Sequence, residues 1–341
     1  MIVPKLGCVN YRSNYDFENI NALSPMIYFG SVTIYLFTVS NRPIKVLVAF
    51  GDQATGCVLH CGGQNGWACS QLAKKLRKMA SGEQHLHLSV RENDKEKLGE
   101  LLGAGVDINC LFYGWTPLQV AIQEGNEDIG VFLIEKGCDY NFHDRHSVTP
   151  FEDAVNRNLS KIVGALLSKG VKPDEPLSTG NLAICVAAEK SYKELLQTLI
   201  NGGATVNSVN NEGATPLYIA SKEGHNGLIQ TLLNARANVN MPCEKGEQHT
   251  PLIAATAAEQ FDVVKLLLKN NCDINAPDKD GWTPLWHAYG NNDEDSMKLL
   301  LKSGADKNVR NADGVTIMDE AKDADDDSMI ELLQSFSQAW T

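Results

Sequence analysis

Ala214-Thr215-Pro216-Leu217 is one of five copies of a short motif that recurs at a nearly fixed interval along the chain. The other four copies are Trp115-Thr116-Pro117-Leu118, Val148-Thr149-Pro150-Phe151, His249-Thr250-Pro251-Leu252 and Trp282-Thr283-Pro284-Leu285. Together with weaker copies through Leu86, Ile184 and Met318, the apolar anchors lie 32, 33, 33, 33, 35, 33 and 33 residues apart. A period near 33 residues indicates a stacked array of similar repeats, each of which shields the apolar face of its neighbours.

Each repeat predicts a pair of helices. Thr before Pro is a helix start, because the Thr hydroxyl can accept from early amide groups and Pro fits the first helical position. Three positions after each anchor a small residue is expected where helices approach closely, at Ala121, Ala154, Ala187, Ala220, Ala255 and Ala288. A left-handed Gly is expected to end the second helix, at Gly105, Gly137, Gly170, Gly203 and Gly304. Arg236 replaces this Gly in one repeat, so the end of that helix stays open. Leu182 replaces the capping Thr in another repeat, which is expected to lose its cap hydrogen bond.

The pattern Gly-x-Thr-Pro-Leu, small residue, Gly, Leu-Leu, Gly-Ala-Asp-x-Asn resembles the ankyrin repeat, most clearly over Gly213–Asn240 and Asp280–Asn308. The resemblance covers about three quarters of the chain. It implies an all-α solenoid of helix-turn-helix repeats joined by hairpin loops, with a concave surface that holds partner proteins. About eight repeats, including degenerate caps, fill residues 81–336 and leave a tail at 337–341. The family's His after Leu survives only as His87, and the resemblance implies that repeats without it are individually softer.

The charge of the chain is unevenly distributed. Residues 1–80 hold eight basic and three acidic residues (+5), whereas the remainder holds 22 basic and 39 acidic residues (−17). An acidic array is a poor nucleic-acid surface, because the phosphate backbone would be repelled. A basic or amphipathic protein segment is the expected partner; an acidic surface that only faces solvent is the alternative. The nine cysteines are scattered without a disulfide framework, which predicts a reducing compartment, the cytoplasm or alternatively the nucleus.

Residues 1–80 do not share the repeat. Two apolar stretches rich in strand-forming residues, 26–39 and 44–50, flank the turn signal Ser40-Asn41-Arg42-Pro43 and predict a strand hairpin within 26–50. A membrane tether through 26–39 is the alternative, although this stretch is shorter than the roughly 18–20 residues of a spanning helix. A lead-in helix is expected at 69–80, and its basic residues Lys74–Lys78 could instead form a targeting patch. No signal peptide is expected, because no apolar run follows Lys5 and Arg12.

No metal site, cofactor or catalytic set is predicted. The N-terminal stretch contains Cys57, His60, Cys61 and Cys69, but no second cysteine pair follows to complete the four donors of a zinc knuckle. A thiol nucleophile there would need an orienting residue that the sequence does not supply. The segment Asp278-x-Asp280-Gly281 lacks the first Asp of a calcium loop. An enzyme whose chemistry lies in 1–80, with the repeats as a targeting module, remains the alternative to a non-catalytic protein.

The expected function is a protein-interaction adaptor or scaffold that binds its partner on the concave face and the hairpin tips. Interface energy concentrates in a few aromatic and Arg anchors. Candidate contacts at or near hairpin tips are Tyr113, Trp115, His146 and Trp282, and those on or just after first helices are Tyr218, Trp286, His287 and Tyr289. Partial burial between adjacent repeats is the alternative for each of them. The cluster within 282–289 is preferred, because four bulky aromatic side chains crowd into eight residues.

Overall fold

The computed structural model describes residues 27–29, 32–37, 45–50, 56–60, 82–143 and 148–336. The chain divides into two compact units, an N-terminal unit, Met1–Tyr140, and a C-terminal unit, Asn141–Thr341. The predicted lead-in helix at 69–80 and the tail at 337–341 lie outside the described residues. In the part of the chain that the structure describes, no helix has the length and apolar character needed to cross a membrane.

The N-terminal unit contains a four-stranded antiparallel sheet in the order β1-β2-β3-β4. The strands are β1 (Ile27–Phe29), β2 (Val32–Phe37), β3 (Lys45–Phe50) and β4 (Gly56–His60). β2 and β3 pair with Leu36 opposite Val46, which is the hairpin arrangement predicted for 26–50. Both strands are rich in β-branched and aromatic residues, which suit a pleated surface. The sequence did not predict β4, which pairs with β3 in antiparallel orientation.

Two helix pairs complete the described part of the N-terminal unit. They consist of α1 (82–91), α2 (Lys95–Gly103), α3 (Pro117–Glu124) and α4 (Glu127–Glu135). Their apolar anchors Leu86 and Leu118 are at most 1% exposed, as the repeat pattern requires.

The C-terminal unit consists of six helix pairs. In chain order they are α5 (Pro150–Asn156), α6 (Ser160–Ser168), α7 (Ala183–Glu189), α8 (Lys193–Asn201), α9 (Pro216–Lys222), α10 (Asn226–Asn234), α11 (Pro251–Ala257), α12 (Phe261–Leu268), α13 (Pro284–Gly290), α14 (Glu294–Lys302), α15 (Ile317–Asp323) and α16 (Asp327–Ser335). First helices contact the next first helix from α5 to α13, and second helices contact the next second helix from α6 to α14. Each pair therefore buries its apolar face against its neighbour, as in a solenoid.

The predicted helix starts are confirmed in most repeats. The capping Thr hydroxyl accepts from the amide three residues later at Thr116, Thr149, Thr215, Thr250 and Thr316. Leu182 makes no side-chain cap, as its replacement of Thr predicted. After Thr283 the helix starts at Pro284 as predicted, but the expected cap bond is absent, because the buried Thr283 hydroxyl has no hydrogen-bond partner among the described residues.

The second helices are followed by a residue in the left-handed backbone conformation. Gly105, Gly137, Gly170, Gly203 and Gly304 all have φ between 85° and 97°. Arg236 takes the same conformation at φ 66°, and the next amide, Ala237 N, donates to Leu232 O at 2.9 Å. The Arg side chain therefore does not disturb the helix end, although a residue with a Cβ adopts this conformation at a cost.

Side-chain hydrogen bonds tie successive repeats together. In the N-terminal unit the amide of Asp139 donates to Asn109 Oδ1 at 2.7 Å. In the C-terminal unit the same bond recurs from Thr205 to Asp174, Asn238 to Asn207, Asp273 to Asn240 and Asp306 to Asn275, at 2.8–3.0 Å. In these five repeats the Asn or Asp that closes the motif thus satisfies a backbone donor of the following repeat.

The position of the family His is also filled by hydrogen-bonding groups. His87 Nε2 lies 3.2 Å from Cys110 O, 23 residues later. Trp286 occupies the same position in another repeat, and its Nε1 donates to Val309 O at 3.2 Å, again 23 residues later. In a third repeat the buried carboxylate of Glu152 accepts from Ser178 N at 3.0 Å. The repeats of Trp286 and Glu152 therefore lack the His but keep a hydrogen bond to the next connector. The individual softness of repeats without the His stays a prediction.

Candidate functional site

The N-terminal unit presents a pocket of about 290 Å³, here named the aromatic pocket. It is lined by two residues of α1, three of the connector before α3 and three of α3: His87, Arg91, Phe112, Tyr113, Trp115, Val120, Gln123 and Glu124. The connector forms a tight hairpin, because the backbones of Phe112 and Trp115 exchange hydrogen bonds at 3.0 and 3.1 Å. Its two central residues, Tyr113 and Gly114, both have left-handed φ, which is typical of hairpin turns.

His87 is the most buried of the residues that line the aromatic pocket. His87 is buried, and burial lowers the pKa of its imidazole, with a smaller contribution from Arg91; the hydrogen bond to Cys110 O opposes this shift. His87 Nδ1 has no hydrogen-bond partner among the described residues. Burial also raises the pKa of the Cys110 thiol to about 12. The rim carries an ion pair, since Arg91 Nε lies 3.4 Å from Glu124 Oε1. An apolar side chain could enter such a pocket while polar neighbours remain at its edge.

The C-terminal unit contains a second arrangement, named the His–Asp–His cluster after His249, Asp278 and His287. His249 lies just before α11, Asp278 lies in the connector to the next repeat, and His287 lies in α13. Asp278 Oδ2 is 2.9 Å from His287 Nε2 and 3.6 Å from His249 Nε2. The two imidazole centroids are 4.9 Å apart. Asp278 is 4% exposed, and the histidines are 20% and 17% exposed, so the carboxylate is buried beneath two partly accessible rings.

The carboxylate of Asp278 is held by its own hairpin. Its Oδ1 accepts from the amides of Asp280 and Trp282 at 3.0 and 2.8 Å. Burial lowers the pKa of His249, and the neighbouring His287 lowers it further, while Asp278 opposes the shift. At the rim, the Lys279 ammonium is bound to Glu247 Oε1 at 2.8 Å, and this hydrogen bond raises the pKa of Lys279. The hairpin therefore presents one fixed carboxylate oxygen to two imidazoles.

Three of the predicted contact residues are well exposed. Tyr113 is 70% exposed, Trp115 41% and Trp282 37%. Tyr218, His287 and Tyr289 are half-buried. His146 lies outside the described residues.

The aromatic cluster within 282–289 exists, but one of its members is not accessible. Ring centroids are 5.5 Å apart for Trp282 and Trp286, 5.9 Å for Trp282 and His287, and 6.1 Å for Trp286 and Tyr289. Trp286 is only 2% exposed. The expectation that Trp286 contacts a partner is therefore corrected, because its indole packs in the core and bonds to Val309 O.

Sequence reasoning missed several residues of both arrangements. No sequence motif marks three residues that line the aromatic pocket, Arg91, Phe112 and Glu124. Only the packing of the repeats brings them together. In the sequence, Asp278 belongs to an incomplete calcium loop and His249 to the repeat motif, and neither pattern indicates a contact between them. The positions of His249 and Asp278 within their repeats were the available signal for this contact. The residue before Thr-Pro and the hairpin Asp of the next repeat fall on neighbouring connectors.

Comparison with known proteins supports the repeat assignment over most of the chain. A family model described as ankyrin repeats (3 copies) matches residues 58–144, 86–176, 151–243 and 226–311. The mouse B-cell lymphoma 3 protein homolog is 29% identical over 129 residues, which cover 36% of this chain and 29% of that protein. Human transient receptor potential cation channel subfamily A member 1 is 30% identical over 124 residues, covering 36% of this chain and 11% of the channel.

A solved structure shows the same similarity. The ankyrin repeat domain of Bcl-3 matches with a TM-score of 0.59 and 26% identity, covering 65% of this chain and 99% of that domain. The chain therefore matches less than a third of the length of the two curated relatives.

Proposed function

Because the chain belongs to the ankyrin-repeat family, we propose that it is a non-catalytic adaptor or scaffold that binds a partner protein. Ankyrin repeats are protein-interaction modules in general. The observation that carries the proposal is the exposure of three large aromatic side chains, Tyr113, Trp115 and Trp282, on connectors between repeats. Exposed aromatic side chains of this kind are typical anchors of interfaces.

Two candidate contact surfaces carry these side chains, the aromatic pocket with Tyr113 and Trp115 and the connector with Trp282. The aromatic pocket is the stronger candidate. Its hairpin holds Tyr113 at φ 53°, a conformation that is costly for a bulky residue, and presents its ring to solvent. Tyr113 and Phe112 are in edge contact at 4.4 Å, which restricts the Tyr ring before any partner arrives. Little side-chain entropy is then lost on binding.

The negative charge of the repeats supports a partner segment that is basic or amphipathic. Residues 81–341 carry a net charge of −17, so a basic or amphipathic segment is attracted and a nucleic acid is disfavoured. In the aromatic pocket an apolar side chain of such a segment would fill the cavity, and its basic residues would meet acidic groups such as Glu124. This interaction is expected to weaken as salt increases.

The described thiols fit a non-catalytic protein in a reducing compartment. Cys110, Cys138, Cys185 and Cys243 are buried, and Cys272 is half-buried. Burial raises the pKa of Cys110 and Cys185 to about 12, which leaves them as neutral thiols without nucleophilic character. We propose a cytoplasmic location, with the nucleus as the alternative. Thiol labelling of Cys57, Cys61 and Cys69 tests the alternative of an enzyme, and carbonate washing tests the alternative of a membrane tether through 26–39.

The proposed function is tested by affinity capture with matched variants of the full chain. A double variant, Tyr113→Ala with Trp115→Ala, and the single variant Trp282→Ala each remove exposed aromatic surface. Phe261→Ala is the control, because Phe261 is 38% exposed but begins the second helix α12 rather than lying on a connector. We expect a bound protein that the control retains and the double variant loses, at unchanged circular dichroism. Retention of every captured protein by both aromatic variants would refute the proposal.

A further inference from the structure

The His–Asp–His cluster combines the donor types of a transition-metal site. Two imidazole nitrogens and one carboxylate oxygen, from His249, His287 and Asp278, all lie within 4.8 Å of one another. Imidazole favours zinc and its first-row neighbours, whereas calcium and magnesium prefer sites made of oxygen alone. Three protein donors with a remaining open position are typical of non-structural zinc sites.

The spacing of the donor atoms suits a metal ion. Zinc bonds of about 2.0–2.1 Å in a tetrahedron place neighbouring donor atoms about 3.3 Å apart. The two distances from Asp278 Oδ2, 2.9 Å to His287 and 3.6 Å to His249, lie on either side of this value. The distance between His249 and Asp278 has to shorten slightly, and the two imidazole nitrogens, at most 4.8 Å apart, have to reach tetrahedral spacing. Both rings are partly exposed, so this adjustment requires no movement of the buried core.

Hydrogen bonds from its own hairpin hold the carboxylate of Asp278 in place. The amides of Asp280 and Trp282 bind Asp278 Oδ1 and leave Oδ2 directed at the imidazoles. Groups that fix a ligand in this way raise metal affinity.

The charge balance also favours a cation. Asp278 is 4% exposed, and in the described part of the chain its ion pairs are with the two histidines and with no lysine or arginine. The neighbouring Lys279 is bound to Glu247 instead. A buried carboxylate without a permanent cation is costly, and a divalent ion between the three side chains would compensate it.

We infer that His249, Asp278 and His287 form a binding site for a divalent transition-metal ion of the zinc type. The accessible side of the two rings leaves a further coordination position for water or for a donor from another molecule. The site lies in the C-terminal unit and needs no partner to form, so it does not depend on the proposed adaptor function.

The test is Zn²⁺ titration of the metal-stripped full chain, followed by calorimetry. Three variants remove one donor each: His249→Ala, His287→Ala and Asp278→Asn. The Asn retains an oxygen that can accept from Asp280 and Trp282, so the hairpin is preserved. His85→Ala is the control, because His85 is exposed and lies in α1, outside the cluster. We expect Zn²⁺ affinity to fall at least tenfold in each of the three variants and to stay unchanged in the control.

A second readout needs no substitution and separates the cluster from the nine cysteines. Co²⁺ bound by imidazole and carboxylate gives ligand-field bands alone, whereas thiolate ligation adds intense charge-transfer absorption in the near ultraviolet. A wild-type Co²⁺ spectrum without thiolate bands supports the site even where a variant is poorly folded. Equal Zn²⁺ binding by the wild type and all three variants, a thiolate-dominated Co²⁺ spectrum, or no Zn²⁺ binding at micromolar concentrations would overturn the inference.

Discussion

We expect replacement of Trp286 by Ala to lower the free energy of unfolding by about 3–5 kcal/mol, the usual cost of emptying a large buried aromatic site. Trp286 heads the fully buried side chains of the described residues in volume, and it is 2% exposed. Its indole also donates to Val309 O at 3.2 Å, a bond that contributes about 0.5–1.5 kcal/mol. Replacement by Phe keeps most of the ring and loses this donor, so a loss of about 1–2 kcal/mol is expected.

The assay is urea unfolding followed by circular dichroism, with hydrogen exchange to locate the change. Repeat arrays unfold through nearest-neighbour steps, so a single midpoint does not report one helix pair. Exchange should accelerate in α13 and around Val309 in the Ala variant. Trp282→Ala is the matched control, because Trp282 is 37% exposed and should cost less than about 1 kcal/mol. An Ala variant at Trp286 that costs no more than this control would show that the indole does not support the stack.

Three further outcomes are expected. Arg236→Gly should raise the free energy of unfolding by about 0.5–1 kcal/mol. Gly adopts the left-handed φ of 66° without strain, and this gain exceeds the cost of its greater freedom in the unfolded chain. A loss of stability in urea unfolding would contradict this. Thr215→Val should lower the free energy of unfolding by about 1 kcal/mol, because it removes a helix cap. Thr283→Val should be neutral or stabilising, because that buried hydroxyl has no partner among the described residues. Equal losses of stability in the two variants would argue against a difference between the two caps. Cys110 and Cys185 should resist iodoacetamide at pH 8 in the native protein and react in denaturant, because burial raises both thiol pKa values to about 12; rapid native labelling, measured by mass spectrometry, would exclude their burial.

The aromatic pocket and the His–Asp–His cluster are tested independently. They lie in different units of the chain, and their test variants share no residue. Loss of a captured partner in the Tyr113 and Trp115 variant would leave the metal site untouched. A failed zinc titration would equally leave the adaptor function standing.

The features that follow from local chemistry could be predicted from the sequence. The motif around Thr215 sets a helix start, because the cap bond joins residues only three positions apart. The alanines after each anchor, such as Ala220 and Ala288, are fully buried, as their helical spacing required. Thr283 shows the limit of such reasoning, because it precedes Pro like the other capping residues but makes no cap hydrogen bond. The orientation of its hydroxyl depends on neighbouring side chains.

The properties of individual side chains depended on the neighbouring repeat. Trp286 was expected on the surface, yet it is buried because the next connector places Val309 O within reach of its indole. His249 and His287 lie 29 and 9 residues from Asp278, and nothing in this spacing predicts contact. The sequence by itself therefore determined the family, the repeat boundaries and the helix starts, since these depend on short-range periodicity. Only the tertiary structure decided which side chains are accessible and which donors converge, because stacking sets where each side chain points relative to the adjacent repeat.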